Sequence, residues 1–260
     1  MSIMTEFVEN TDGGEAGKQD CERKACRRLM DRLEKEFPRL NLCICADSLY
    51  ACGRFFQECA DKNWKYILHF KEGSIPTAAE EYEKLRKITG NGWEKTLGNG
   101  KSWYDYVEGI EHNGYKTSLV EYREERQIIY KKGVQKGRRK VVKSFLFLTN
   151  LSISRKNVPG LVEYGRMRWK IKNEGFNTQK RQGYHLEHQF SRDCQAQKCH
   201  YYLIQIGHMT AQVLEAWEKL WKNVKQSREQ KHRRLLESFK NGRLKDLEKE
   251  LEKKFQVRFI

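Results

Sequence analysis

The chain has 260 residues, with 51 lysines and arginines against 35 aspartates and glutamates, so its formal net charge at pH 7 is +16. A chain of this length buries a substantial core, which disfavours intrinsic disorder. The charge favours a polyanionic partner, most simply nucleic acid, although a basic solvated surface without a specific ligand stays open. No apolar run reaches the ~20 residues of a membrane helix, and the amino terminus lacks a signal-peptide pattern, so we expect an intracellular protein.

The cysteines bear on the compartment and on metal binding. Eight are present, at positions 21, 26, 43, 45, 52, 59, 194 and 199. In a reducing cytosol such residues behave as small buried apolar side chains rather than as disulfides. Cys194, Cys199 and His200 form the one group with a metal-like composition, but no partner pair follows at zinc-finger spacing, so zinc is not favoured.

The first predicted elements lead to an aspartate. Residues 3–9 alternate like a half-buried strand, and a helix is predicted from about 19 to 37, where Pro38 follows. Residues 40–46 form a nearly continuous apolar run, which is typical of a strand buried inside a mostly parallel sheet. Asp47 then falls at the carboxyl end of that strand, where ligands collect in open α/β sheets.

A helix from about 50 to 62 and a strand over residues 64–70 complete a predicted β-α-β unit, and a helix over 77–88 follows. From Gly90 onward, Asn-Gly turn signals separate short strand-like runs. We therefore interpret residues 90–150 as a β-rich insert.

Within the insert, residues 117–122 and 126–132 are separate strand-like runs, and residues 143–150 read as a core strand. Asn157 and Pro159 predict the N-cap and the early-turn proline of a helix that begins near residue 158.

The rest of the chain is predicted to be helical from about residue 196 to its end. Residues 222–234 are strongly basic, which fits a solvated helix face as well as a contact with DNA.

Two segments carry a resemblance to a known family. Residues 168–180 read RWKIKNEGFNTQK, and residues 43–56 read CICADSLYACGRFF. Both resemble motifs of bacterial insertion-sequence DDE transposases of the Y-R-E-K signature type, and the resemblance extends through residues 63–76 and 182–190. It implies DNA transposition, with metal-dependent phosphodiester cleavage and strand transfer on a ribonuclease H-like fold.

The resemblance and the predicted elements together define a fold class and an organisation. The class is α/β: an incomplete ribonuclease H-like mixed sheet with helices, a β-rich insert and a helical C-terminal tail. Residues 1–89 form the first part of the core, residues 90–150 the insert, residues 151–212 the second part with the motif helix, and residues 213–260 the basic helical tail.

The resemblance implies that Asp47 is the family's second catalytic aspartate and a metal ligand. Its carboxylate suits Mg²⁺ or Mn²⁺ if the protein is active. In such enzymes two divalent ions activate water or a 3′-hydroxyl and stabilise the leaving oxygen. From the residues alone, Asp47 also fits a simpler role as the cap of the following helix.

The third acid of the family is replaced, because Lys172 stands where the family has a glutamate. A lysine there adds repulsion where the metals need negative charge. Glu174 is two residues further on and would be rotated by about 200° on an α-helix. It is a catalytic candidate only if the helical register changes locally.

The signature spacing places four positions on one broad helix face. The family has tyrosine, arginine, glutamate and lysine there, whereas this chain has Gly165, Arg168, Lys172 and Gln179. Only the arginine is in strict register, with Tyr164 and Lys180 one residue away from the family positions.

Four residues are candidates for DNA binding: Arg168, Lys180, Tyr164 and Trp169. Arg168 and Lys180 suit phosphate contacts. Trp169 is open to base stacking, although an aromatic residue on an amphipathic helix more often belongs to the core.

The first acid of the family lies upstream of the strand that residues 3–9 resemble, so we expect a chain truncated at its amino terminus. Asp12 precedes a glycine but is explained by turn chemistry. The resemblance thus implies a catalytically impaired transposase in the bacterial cytoplasm near the nucleoid. Its expected partners are the double-stranded DNA of transposon ends and a second copy or a related transposase. The alternatives are a basic DNA-binding or interaction module, or a metal-dependent nuclease that uses Asp47 and Glu174.

Overall fold

A computed structural model describes residues 2–9, 20–97, 100–130 and 137–221, together with the single positions 230, 233 and 237. The chain divides into two compact units. The larger unit comprises residues 3–171, and the smaller unit comprises residues 172–260 with the first two residues. No helix among the described residues is both long and apolar enough to cross a membrane.

The larger unit is an α/β structure built on one sheet. Its elements are α1 (Glu22–Glu36), β1 (Cys43–Ala46), α2 (Gly53–Asp61), β2 (Lys65–Phe70), α3 (Pro76–Thr89), β3 (Trp93–Leu97), β4 (Gly100–His112), β5 (Tyr115–Tyr130), β6 (Gly137–Thr149) and α4 (Val158–Lys170). The open, mixed sheet has six strands in the order β1-β2-β6-β5-β4-β3. Strands β1 and β2 are parallel, and every other neighbouring pair is antiparallel. The predicted α/β class is therefore confirmed.

The predicted β-α-β unit is present as β1, α2 and β2. Helix α2 buries Phe55, Phe56 and Cys59, which share one face at helical spacing. Strand β1 differs from the prediction because it lies at the end of the sheet and is only half-buried. Its apolar run reflects packing on one neighbour rather than burial inside a mostly parallel sheet.

Residues 3–9 form neither a strand nor a helix, so the strand predicted there is wrong. Ion pairs hold this segment near α1 instead: Glu6 accepts hydrogen bonds from Arg28 and Arg32, each at 2.8 Å. Arg28 also donates to the carbonyl of Phe7. The Arg28 guanidinium, with Arg32, holds the pKa of Glu6 below its usual value. The alternating polar side chains of this segment therefore do not face a sheet. Glu6 forms ion pairs with arginines of α1 instead.

The strands from β3 to β6 form an antiparallel meander that continues the same sheet. A two-residue turn joins β4 to β5, where Asn113 and Gly114 both have positive φ, as the favoured hairpin turns require. The predicted runs at 117–122 and 126–132 belong to the single strand β5. The core strand predicted at 143–150 is confirmed as the end of β6, which also pairs with β2.

Two apolar clusters cover the two faces of the sheet. The cluster beneath α1, α2 and α3 includes Met30, Phe56, Leu68 and Tyr82. On the other face, α4 packs over a cluster of Ile67, Val120, Tyr122, Phe147, Ile153, Val158, Leu161 and Val162. Burial of these side chains positions α4 across the strands.

Helix α4 begins at the predicted residue, with Pro159 in its first turn. Asn157 is at the N-cap position, but its side chain makes no capping bond to a helix amide. Instead, its Oδ1 accepts from the amide of Ser154 at 2.8 Å and its Nδ2 donates to the carbonyl of Ser152 at 2.9 Å. The predicted side-chain cap is therefore wrong, because Asn157 closes the turn that precedes the helix.

A buried carboxylate links β5 to α4. Glu124 is 4% exposed and accepts hydrogen bonds from the Tyr122 hydroxyl at 2.6 Å and from Arg166 Nη1 at 3.1 Å. Arg126 Nε lies 2.7 Å from the other carboxylate oxygen. Burial opposes ionisation, but the Tyr122 hydrogen bond and the two arginines hold the pKa of Glu124 below its usual value.

All eight cysteines lie within the described residues and are free thiols. Cys59 is buried as predicted, whereas Cys21, Cys43, Cys194 and Cys199 are exposed. The prediction that the cysteines are buried is therefore wrong for these four. Cys43 is exposed because its strand lies at the end of the sheet.

The smaller unit contains α5 (Asn177–Arg181) and α6 (Cys194–Trp221). The helix predicted from about residue 196 is thus present as α6. The basic stretch 222–234 lies outside the described residues apart from positions 230 and 233, and Asp12 also lies outside them.

Candidate functional site

Asp47 lies at the edge of the sheet where the parallel strands β1 and β2 both end. Its Oδ1 accepts a hydrogen bond from the amide of Leu49 at 3.0 Å and so caps the short 3₁₀ turn Ser48–Tyr50. Its Oδ2 lies 3.9 Å from Nη1 of Arg168. One oxygen therefore has the capping role that the sequence left open, and the other faces a cation.

Gly165 determines where Arg168 sits. A Cβ atom on Gly165 would lie 2.6 Å from Cε1 of Phe147 and 3.0 Å from Cγ2 of Ile67, so the backbone of α4 lies directly on the sheet. Arg168 is three residues later and shares that face of the helix. It therefore reaches the ends of β1 and β2, where Asp47 is found.

The Arg168 guanidinium makes few contacts with the other described residues. Its side chain is 28% exposed, and its only ion pair among the described residues is the long contact with Asp47. Its buried Nε has no hydrogen-bond partner there. The ring of Trp169 lies 5.8 Å away. Because guanidinium groups bind carboxylates and phosphates through two donors at once, this arginine is equipped to take a further anion.

His69 is a site residue that the sequence reasoning missed. The parallel register pairs Leu68 with Ala46, which brings the next residue of each strand, His69 and Asp47, to the same edge. Burial lowers the pKa of His69, and the positive charges of Arg168 and Lys71 lower it further. Both effects favour the neutral form of His69. The sequence signal that could have revealed His69 is the pair of apolar runs that became β1 and β2. If the two runs pair in parallel, the residues that follow them lie at the same edge.

The other candidates on α4 are exposed. The side chain of Tyr164 is 58% exposed and that of Trp169 is 43% exposed. The expectation that Trp169 belongs to the core is therefore wrong. Gly165, which holds the family tyrosine position in strict register, is buried against Phe147 with no room for a larger side chain. Tyr164 and Trp169 stay predicted DNA-binding residues.

The four signature positions do not lie on one continuous α-helix, as the spacing argument assumed. Helix α4 ends at Lys170, and a π-helical stretch, Ile171–Phe176, follows. Lys172 and Glu174 are both exposed within that stretch. The rotation of about 200° between these two side chains, which assumes an α-helix, therefore does not apply. Single π-helical turns occur often at functional sites, and their wider turn shifts the register of the residues that follow.

In the smaller unit, the neighbours Gln179 and Lys180 have different environments. Gln179 is buried, and its Nε2 donates to Oε1 of Gln205 at 3.0 Å and lies 2.9 Å from Nδ1 of His208. Lys180 is exposed. Of these two, only Lys180 is open to a phosphate contact, and it stays a predicted DNA-binding residue.

Among the described residues, Asp47 does not belong to a group of three or more metal-binding side chains. Mg²⁺ and Mn²⁺ need several oxygen ligands, whereas Asp47 is accompanied by Arg168 and the half-buried His69. No group of three His, Cys, Asp or Glu side chains in the described part of the chain is placed to hold a metal ion.

Comparisons with known proteins add no family assignment. No protein-family model matches the chain, and no curated protein matches it.

Proposed function

We propose that this chain is a relative of insertion-sequence DDE transposases that binds duplex DNA and does not catalyse strand transfer. The observation that carries the proposal is the pairing of Asp47 with Arg168 at the carboxyl ends of β1 and β2. These residues come from the two segments that resemble the family, and they are far apart in sequence. In that family both segments contribute to one site, so their meeting supports common descent.

The finer fold proposal follows from the same region. A parallel β-α-β unit with a helix lying across its ends is what a ribonuclease H-like core needs near its second acid. The unit β1-α2-β2 and helix α4 supply these elements. We therefore interpret the larger unit as ribonuclease H-like, with the meander as its insert.

DNA binding is supported by charge and by the unused capacity of Arg168. The net charge of +16 attracts a phosphate backbone. The Arg168 side chain is 28% exposed and its contact with Asp47 is long, and Lys180 is an exposed cation on α5. Tyr164 and Trp169 expose aromatic rings on α4 that suit sugar or base contacts. The proposed ligand is the duplex DNA of a transposon end.

We propose the absence of catalysis because a positive charge stands at the third acidic position of the motif. Lys172 stands where the family has its third acid, whereas Arg168 stands where the family also has an arginine. Lys172 thus places a positive charge where the two divalent cations would need a carboxylate. The protein would then bind DNA but would not activate an oxygen for attack on the phosphodiester.

The DNA-binding half is tested by titrating a short duplex at several salt concentrations. We expect affinity to fall at least about tenfold between ~50 and ~200 mM salt, because bound phosphates release counterions. Arg168→Ala should weaken binding more than Arg54→Ala, which removes the same charge from α2 on the opposite face of the sheet. Equal losses in the two variants, salt-independent affinity, or no binding at ~50 mM salt would each contradict the proposal.

The catalytic half is tested by incubating the protein with plasmid and oligonucleotide duplexes in Mg²⁺ or Mn²⁺. We expect neither cleavage nor joining. A metal-dependent product that disappears in Asp47→Asn would overturn this expectation. If Glu174→Gln abolished the product as well, the nuclease alternative that uses Asp47 and Glu174 would replace it.

A further inference from the structure

Helix α1 carries a row of basic side chains on one face, which we call the α1 basic row. It consists of Lys24, Arg28, Arg32 and Lys35, whose spacings of four, four and three residues place them on the same side of the helix. All of them are exposed. Asp31 lies on that side too, but Lys62 pairs with it at 2.9 Å. The row therefore presents mainly positive charge.

Residues 3–9, which we call the amino-terminal strap, lie against the middle of this row. Nε of Arg28 and Nη1 of Arg32 donate to the two carboxylate oxygens of Glu6, each at 2.8 Å. Arg32 also donates to the carbonyl of Thr5 at 3.0 Å, and Arg28 donates to the carbonyl of Phe7 at 2.8 Å. The strap thus occupies both central arginines of the row.

Asp20 adds a second carboxylate to the same contact. Nη1 of Arg28 donates to its Oδ1 at 3.0 Å, and Nη2 donates to its Oδ2 at 2.7 Å. Oδ2 also accepts from the amide of Glu9 at 3.0 Å, which ties Asp20 to the strap. Guanidinium groups bind carboxylates and phosphates through the same forked geometry. Glu6 and Asp20 therefore occupy positions that suit phosphate oxygens.

Polar contacts hold the strap more than burial does. Its side chains Ile3 and Val8 are 67% and 49% exposed, so little apolar surface is buried there. The side chains of Arg28 and Arg32 are 43% and 51% exposed. Ion pairs in contact with water are weak and are screened by salt. A competing polyanion can therefore reach these arginines and displace the strap.

We propose that the α1 basic row is a second nucleic-acid-binding surface, and that the amino-terminal strap covers it until a phosphate backbone displaces Glu6. The row is about 16 Å long at 1.5 Å per residue, which matches roughly five phosphates of one DNA strand. A regular series of cations of this length suits nucleic acid, whose phosphates continue at a regular spacing.

This surface is distinct from the Arg168 site, because α1 and α4 cover opposite faces of the sheet. The inference rests on the proposed DNA binding and adds to it a second contact surface and its regulation. Strap release and DNA binding must then favour each other to the same extent.

The test is a titration of a labelled duplex with full-length wild type and with Glu6→Gln/Asp20→Asn at ~50 mM salt. We expect the double variant to bind at least about threefold more tightly, because more molecules have an uncovered row. The matched control, Glu72→Gln/Glu80→Gln, removes two exposed acids at and before α3. It should change the affinity far less, because it raises the net charge without uncovering the row.

Adding Arg28→Ala and Arg32→Ala to Glu6→Gln/Asp20→Asn should remove the gain in affinity. If wild type binds DNA through Arg168 and Glu6→Gln/Asp20→Asn binds no more tightly, this inference is overturned and the proposed function stands. Absence of DNA binding by both proteins would overturn the two together.

A second measurement uses only the wild-type protein, so it does not depend on whether a variant folds. Chymotrypsin cleaves after phenylalanine, and cleavage after Phe7 cuts the strap. Saturating duplex should speed this cleavage at least about twofold, because bound DNA favours the released strap. Mass spectrometry of the product follows the rate, and an unrelated peptide controls for effects of DNA on the protease. A rate that duplex leaves unchanged or lowers would contradict the inference.

Discussion

Replacing Gly165 by alanine is expected to lower the free energy of unfolding by about 1–3 kcal/mol, the usual cost of overpacking a core. The new methyl group would lie 2.6 Å from Cε1 of Phe147, which is fully buried. Either the ring or the helix must shift. Chemical denaturation of the purified variant, monitored by circular dichroism, measures the loss.

Gly160 provides the matched control on the same helix. A Cβ atom there meets nothing closer than Cε2 of Tyr164 at 4.0 Å. Since alanine is favoured over glycine in a helix by up to about 1 kcal/mol, Gly160→Ala should stabilise the protein slightly. The two substitutions should therefore have opposite signs. Stabilisation by both would mean that α4 does not lie as close to the sheet as described.

The Gly165 variant also bears on the candidate site. Arg168 reaches Asp47 only because the helix backbone lies against Phe147 and Ile67. Lifting α4 from the sheet should therefore reduce DNA affinity even though no charge is removed. Gly160→Ala should bind DNA as the wild type does.

Replacing Glu124 by glutamine is expected to cost about 1–3 kcal/mol at neutral pH, because buried charged partners are expensive to leave unmatched. The glutamine would retain the size of the side chain but remove the negative charge that Arg126 and Arg166 share. Both arginines are partly exposed, so water relieves some of the cost. Glu94→Gln is the control, since Glu94 pairs with Lys101 at 2.8 Å on the surface and should change stability by less than about 0.5 kcal/mol.

The effect of Glu124 should depend on pH in a defined direction. The folded pKa of Glu124 is lower than its usual value of 4.5. Its contribution to stability is therefore complete above the unfolded pKa and is lost as the pH falls through the folded pKa. Denaturation of wild type and Glu124→Gln should converge at acidic pH. A stability difference that persists unchanged well below pH 4.5 would show that packing, and not charge, causes it.

Local patterns predicted the elements that rest on local interactions. The nearly continuous apolar run before Asp47, the strand-like run at residues 64–70 and the helix predicted from about 50 to 62 correspond to β1, β2 and α2. Together with the Asn157–Pro159 boundary, they were enough to find the β-α-β unit and the start of α4. Asp47 was found because it follows such a run.

Other parts of the fold and of the site depend on contacts between residues that are far apart in sequence. A local sequence pattern carries no information about such contacts. Residues 3–9 have the alternation of a strand, but Arg28 and Arg32 recruit Glu6 from another element. The position of β1 at the sheet end depends on which strand pairs with β2. Likewise, His69 joins the site only through the parallel register, and the π-helical stretch has no sequence signal in its residue types.

Strand β6 has a consequence for the order in which the larger unit folds. It pairs with β5 through a meander whose strands are close in sequence, whereas its pairing of Thr149 with Ile67 closes a long loop. Short loops lose less chain entropy on closing, so the meander should assemble first and offer β6 as a template. β2 and then β1 would add to it late. The predicted insert should therefore form the nucleus on which the strands next to Asp47 and His69 are built.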